Sequence, residues 1–232
     1  MKRKGPSKPR PKALPYIFLG YCHPRSPGLV HESWSHSLLY LFAGAQGHAM
    51  IKPVGCASGP LLSRARNLLV QQFLEGDYDY FLWTDTDIIY TWDDLAVLLQ
   101  SDKDIAGSVY LTLDGQNQPV VAHLQEDLGG DDGERKRYRD VPLSDCYGDD
   151  SSPKEPFVVA GLGCGFTLIK REVLVALAES HGGTARLWPY AETGEEEGFG
   201  EDLTFGLRAA ELGYNSWLVP ASRVGHIKEI VL

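Results

Sequence analysis

Phe81-Leu82-Trp83-Thr84-Asp85-Thr86-Asp87-Ile88-Ile89 is the stretch that decides how this chain is read. An apolar run ends in two carboxylates one residue apart, and the chain then turns apolar again. Tyr80 to Trp83 is too short for a helix and follows the turn-like Gly76-Asp77, so it reads as a buried strand. Residues i and i+2 of an extended chain point the same way, so Asp85 and Asp87 can aim at one point. At the C-terminal end of a parallel strand, that point lies in the ligand crevice of an open α/β sheet. Two hard oxygen ligands there suit Mg²⁺ or Mn²⁺ with positions left for phosphate oxygens. The same spacing also suits two carboxylates that end a strand and open a loop.

Outward from this stretch the chain alternates. Tyr16 to Gly20 reads as a first strand, Glu32 to Ala43 as a helix, and Met50 to Val54 as a second strand that Pro53 confines to an edge or ends early. Ser58-Gly59-Pro60 predicts a helix start, with Ser58 as cap, running to Glu75 and stopped by Gly76. Leu61, Leu62, Ala65, Leu68, Leu69 and Phe73 form its apolar stripe. Arg64 and Arg66 fall on opposite edges of that stripe, with Asn67 nearby. Beyond the central strand, Thr91-Trp92-Asp93-Asp94 opens a helix to Gln100, and Ile105 to Leu111 is a further strand. This order predicts an α/β fold with a parallel sheet and right-handed crossovers.

The second half is less regular. Gln118 to Leu124 reads as a short strand, and residues 125–156 as a long polar loop. Phe157 to Ala160 and Phe166 to Ile169 read as strands flanking the flexible turn Gly161 to Gly165. Arg171 to Ser180 and Glu201 to Leu212 read as helices, the second stopped by Gly213. Tyr214 to Val219 is the last strand, and His226 follows it.

Composition bounds the partners. The chain has 232 residues, 43% of them hydrophobic, which suffices for one sizeable core and makes one domain the default. No apolar run is long enough to span a membrane. Residues 1–12 hold six Lys or Arg and no acid, and residues 1–15 interleave prolines, so this segment reads as a disordered basic arm and not as a signal peptide. The net charge of −9 therefore becomes −15 over residues 13–232, a body that repels nucleic acid on average. Cys22, Cys56, Cys146 and Cys164 lack metal-site spacing and read as free thiols of a reducing, cytoplasmic compartment.

Several short motifs stand in one order. They are Arg64-x-Arg66-Asn67 on a helix before the apolar strand, Asp85-Thr86-Asp87 after it, and Ala160-Gly161-Leu162-Gly163-Cys164-Gly165-Phe166 before a strand and helix. Gly200-Glu201-Asp202 then opens a helix, and His226 follows the last strand. Together they resemble the GT-A-fold glycosyltransferases, in particular small family 2-like members. The resemblance implies a single GT-A-like domain over residues 16–232, an open, mostly parallel sheet with helices on both faces. It implies transfer of a sugar from a nucleotide-sugar donor to an acceptor hydroxyl, assisted by Mn²⁺ or Mg²⁺. Asp87 would ligate the metal, Asp85 would bind it through water or hold the ribose, and His226 would be a further ligand. Arg64, Arg66 and Asn67 would reach the diphosphate or hold the Asp pair. Asp202 would be the general base, with Glu201 on the acceptor. Acceptors in such families include glycans, proteins and modified DNA bases.

Residue by residue, plainer readings stay open. His226 also reads as a surface imidazole near the chain end, and Glu201 and Asp202 as acids at a helix N-terminus. Gly161, Gly163 and Gly165 either let backbone approach the acceptor or form an ordinary turn. Trp188, Tyr190 and Phe199 are candidates for stacking on sugar, whereas Trp217, inside a strand, reads as core. Two other functions compete. A haloacid dehalogenase-type phosphatase would use Asp85 as nucleophile, but such enzymes carry that motif on the first strand. A non-catalytic carbohydrate-binding protein would keep the crevice without needing Asp202.

Overall fold

The computed structural model of the chain describes residues 14–24, 30–58, 62–111, 120–127, 136–184, 187 and 200–227. The basic arm of residues 1–12 lies outside them, as do Trp188, Tyr190 and Phe199.

In chain order the first half comprises β1 (Tyr16–Pro24), α1 (Glu32–Ala45), β2 (Met50–Ser58), α2 (Leu62–Glu75), β3 (Tyr80–Thr84), β4 (Ile88–Ile89), α3 (Trp92–Ser101) and β5 (Ile105–Val109). The second half adds β6 (Val120–Asp127), β7 (Lys136–Val141), α4 (Leu143–Cys146), β8 (Phe157–Val159), β9 (Gly161–Leu162), β10 (Phe166–Lys170), α5 (Arg171–Ser180), α6 (Glu201–Glu211), β11 (Ser216–Arg223) and β12 (Gly225–His226).

Seven strands form one sheet in the order β2-β1-β3-β10-β5-β11-β8. β2, β1 and β3 run parallel, as do β5 and β11, while β10 and β8 run against them. Five of the seven strands thus share one direction, and their C-terminal ends form one rim. Pro53 lies in β2, at the sheet edge, where strand prolines are tolerated.

The strands alternate between two apolar layers. Phe18, Phe81, Trp83 and Ile169 face the layer completed by α2, α5 and α6 through Leu69, Phe73, Leu174 and Phe205. Ile17, Leu19, Leu82 and Leu168 face the opposite layer, closed by Trp34 and Leu41 of α1 and Leu95 and Leu98 of α3. Helices therefore cover both faces, and the fold is α/β with a mostly parallel open sheet.

Local chemistry sets several boundaries. The Asp94 carboxylate accepts from both the backbone N–H and the hydroxyl of Thr91, which starts α3. Gly213, at φ 87°, ends α6, and the N–H of Tyr214 closes back on the Ala209 carbonyl at 3.0 Å. Ser58 is not a helix cap. It lies in β2, and its hydroxyl donates to the His23 carbonyl at 3.3 Å.

Residues 125–156 differ most from the sequence expectation of a long loop. β6 extends to Asp127, β7 pairs with it antiparallel, and β6 also pairs with β9. A braced turn follows α4, with Tyr147 bridged to Pro153 and the Asp150 carboxylate accepting from the N–H and hydroxyl of Ser152. An edge hairpin is held by backbone bonds and needs few apolar side chains, so its polar composition concealed it.

Two small residues set how closely α6 approaches the strands. A Cβ on Gly206 would stand 2.4 Å from the Ala160 carbonyl oxygen, and one on Gly161 would stand 2.8 Å from the Leu203 Cα. Backbone therefore packs on backbone, and this spacing sets the N-terminus of α6 against the turn that follows β9. Gly206→Ala should push α6 outward and lower stability by about 1–3 kcal/mol, the usual cost of overpacking. Urea denaturation measures it, and a midpoint unchanged from wild type would refute the close approach.

Candidate active site

The rim formed by the C-terminal ends of β1, β3 and β5 carries two clusters of polar side chains. β3 ends at Thr84, and the N–H of Asp85 donates to the Gly165 carbonyl at 2.9 Å, which ties the end of β3 to the turn before β10. The Trp83 indole N–H donates to Asp85 Oδ1 at 2.9 Å.

Opposite this carboxylate stands Arg66, only 2% exposed on the inner face of α2. Its Nη1 donates to Asp202 Oδ1 and, at 3.3 Å, to Glu201 Oε1. The guanidinium lies over the Trp83 ring, 5.0 Å from its centroid. The other Asp202 oxygen accepts from the Cys164 backbone N–H at 3.2 Å. A buried cation is tolerable only when paired, and here the first turn of α6 supplies the pairing.

The same surroundings perturb the neighbours. Burial pushes the Asp85 carboxyl up from its usual 3.8 to about 6, while Arg66 and the Trp83 N–H pull it down and Asp202 and Asp87 add to the rise. Burial, then the charge of Asp202, pushes the Cys164 thiol well up, so it stays protonated. Tyr110 is likewise pushed up by burial and by Asp85, and its oxygen accepts the Gly165 N–H at 3.0 Å.

The second cluster forms where β12 pairs with β4. That pairing sets His226 opposite Ile88, and the Ile227 N–H donates to the Asp87 carbonyl at 2.7 Å. His226 Nε2 then lies 3.2 Å from Asp87 Oδ2. His226 Nδ1 lies 2.8 Å from the Leu111 carbonyl oxygen, which can only accept, so Nδ1 carries a proton. Tyr110 meets the imidazole edge to face, with ring centroids 5.4 Å apart.

These two groups fit a divalent cation. Adjacent ligands of an octahedral ion, each about 2.1 Å from it, stand about 3 Å apart. The 3.2 Å between Nε2 and Oδ2 matches that span, and a carbonyl behind Nδ1 is the usual device that orients a ligating histidine. Among the described residues no three of His, Cys, Asp and Glu gather as a metal site.

Of the residues singled out in the sequence, Asp85, Arg66, Glu201 and Asp202 come together, and Asp87 joins His226. Asn67 is buried on α2, whereas Arg64 is exposed on the opposite side of that helix and joins neither cluster among the described residues. Space beside Gly161 and Gly165 is filled from within the chain, by Leu203 and the Tyr110 ring, so these glycines serve packing. Trp217 is half-buried, with Lys103 Nζ 4.0 Å from its ring centroid. Sequence reasoning overlooked Trp83, Tyr110 and the carbonyl of Leu111. A signal existed for Trp83, which shares a strand face with Asp85 by the i, i+2 rule. All four cysteines are free, and no helix among the described residues is long and apolar enough to cross a membrane.

No family model and no curated protein matches the chain. Among solved structures, it is similar to A197 from STIV, at 16% identity over 94% of this chain and 97% of that one, with a TM-score of 0.46. It is similar to GalNAc-T7, crystallised with UDP, GalNAc and Mn²⁺, at 16% identity over 94% of this chain and 44% of that one, with a TM-score of 0.49. A third likeness is to the inositol-1-phosphate CTP transferase from T. maritima, at 8% identity over 93% of this chain and 90% of that one, with a TM-score of 0.46. At such identities and scores the reading of function rests on the residues of the site.

The raised Asp85 pKa makes a prediction about stability. The folded protein holds this proton more tightly than the unfolded chain, so stability is lost as pH rises from about 4 to about 6. Asp85→Asn removes that loss. Relative to wild type, the variant should gain about 1–3 kcal/mol across this window and keep the gain at neutral pH. Urea denaturation between pH 4 and pH 8 in EDTA measures the difference, and a difference independent of pH would refute it.

Proposed function

We propose that the protein is a metal-dependent glycosyltransferase that moves a sugar from a nucleotide-sugar donor to an acceptor hydroxyl. The observation that carries this reading is the pairing of two chemistries on one rim. A carboxylate–imidazole pair suited to a divalent cation, Asp87 with His226, stands beside a second carboxylate, Asp202, held by a buried arginine.

Transfer from such a donor expels a diphosphate, on which negative charge grows. Mn²⁺ or Mg²⁺, when held by Asp87 and His226, supplies charge stabilisation for that leaving group without a proton donor. Asp85 faces the same region, to hold the ribose or to meet the cation through water. Arg66 keeps its charge beside these carboxylates and orients Asp202. An acceptor hydroxyl must lose a proton as it attacks, and Asp202, fixed at the start of α6, is the base in this reading, with Glu201 on the acceptor.

The acceptor class is a glycan, a protein or a modified DNA base. The charge of −15 over residues 13–232 weighs against nucleic acid, and the six cations of residues 1–12 weigh for it. The phosphatase reading would make Asp85 a nucleophile, which its indole hydrogen bond and raised pKa disfavour.

Nucleotide sugars screened with Mn²⁺ or Mg²⁺ for slow donor hydrolysis test the activity, and no turnover or binding of any donor would sink it. Two variants then separate the roles. Asp87→Ala should abolish metal-dependent donor binding, seen by calorimetry, and lower transfer on the order of 10³-fold. Asp202→Asn should leave donor affinity nearly unchanged while transfer falls roughly 10²–10⁴-fold. A binding module would show neither turnover nor this contrast. Near wild-type transfer by Asp202→Asn would move the base to Glu201.

A further inference from the structure

We infer that Trp83 is a positioning residue that locks Asp85 and Arg66 into one frame, so that the donor side and the acceptor side of the site share a single support. This rests on the glycosyltransferase reading for its consequence, though not for its geometry.

Trp83 is completely buried at the end of β3. Its two chemical features are used separately. The indole N–H points along the strand to Asp85 Oδ1 at 2.9 Å. The ring face lies under the Arg66 guanidinium, which in turn holds Asp202 and Glu201. Arg66 Nε is buried and has no hydrogen-bond partner among the described residues. The guanidinium plane is therefore set by the ring beneath it and by the carboxylates at its Nη1 end.

The indole itself has little freedom. Its ring stacks on Phe81 at 6.1 Å, Phe81 meets Phe73 edge-on at 5.5 Å, and Phe73 packs against Phe18 at 6.0 Å. An aromatic column thus runs from the core to the rim and ends in a residue with both a donor and a π face. Trp supplies both, whereas Phe keeps the face and loses the donor, and Leu loses both. Packing alone would be served by Phe or Leu.

The test uses the full chain labelled with ¹⁵N at tryptophan. The Trp83 indole N–H is assigned by its loss in Trp83→Phe or, if that variant does not fold, by its slow solvent exchange, after Trp34→Phe has removed the other indole signal that is buried among the described residues. In metal-free protein, Asp85→Asn should move this resonance and leave the Trp217 signal in place. An unmoved resonance would overturn the assignment.

The second arm reads binding of UDP, GDP, ADP and CDP in turn with Mn²⁺, by calorimetry. Trp83→Phe should weaken the tightest of these about tenfold in the wild-type background, the worth of one hydrogen bond to a charged group, and should change it little in the Asp85→Asn background. Equal losses in both backgrounds would reduce Trp83 to a packing residue and overturn the inference. If wild-type protein binds none of the four, the glycosyltransferase reading fails, and the indole resonance alone decides whether Trp83 holds Asp85.

Discussion

A guanidinium buried to 2% exposure is the constraint around which the site is arranged. An unpaired charge at that depth would cost several kcal/mol, so Arg66 requires carboxylates at its end, and the first turn of α6 provides them. The requirement runs both ways. Arg66 belongs to α2, packed on one end of the sheet, and Glu201 and Asp202 belong to α6, which joins late in the chain. Their pairing fastens the last helix to the first half of the fold at the point where the chemistry is proposed.

Sheet topology makes that pairing reachable. β10 enters antiparallel between β3 and β5, so the turn Gly163 to Gly165 arrives at the rim beside Asp85. Cys164 then offers its N–H to Asp202, and Gly165 its carbonyl to Asp85 and its N–H to Tyr110. The close approach of α6 through Gly206 completes the arrangement, because a helix set farther out would carry Asp202 away from both donors. Backbone groups of one turn thus serve two side chains, those of Asp202 and Tyr110, and the backbone of Asp85.

The two clusters differ in what orients them. Asp87 and His226 depend on a short two-stranded pair, β4 with β12, and on a single backbone carbonyl that fixes the imidazole tautomer. Asp85 and Asp202 depend on buried packing: an aromatic column, a buried arginine and a glycine turn. The first arrangement is held by the backbone pairing of two short strands. The second is embedded in the core layer and suits a group whose geometry must not change during reaction.

Local pattern in the sequence determined much of this protein. β3, α5, α6 and the cap of α3 follow from apolar periodicity and from Thr91, Asp94 and Gly213, because helix and strand periods are short-range properties. Pro53 left β2 either at an edge or cut short, and the structure has it at the edge and running on to Ser58. The motif order also pointed to Asp85, Asp87, Asp202 and His226 as one site. Only the tertiary structure decided which of Arg64 and Arg66 turned inward, that residues 136–141 form a strand, and that Trp83 supports Asp85. Arg66 meets Asp202 across 136 residues, and His226 meets Asp87 across 139. No local period carries such pairings. They follow from the cost of burying a charge unpaired and from where α6 and β12 come to rest against the sheet.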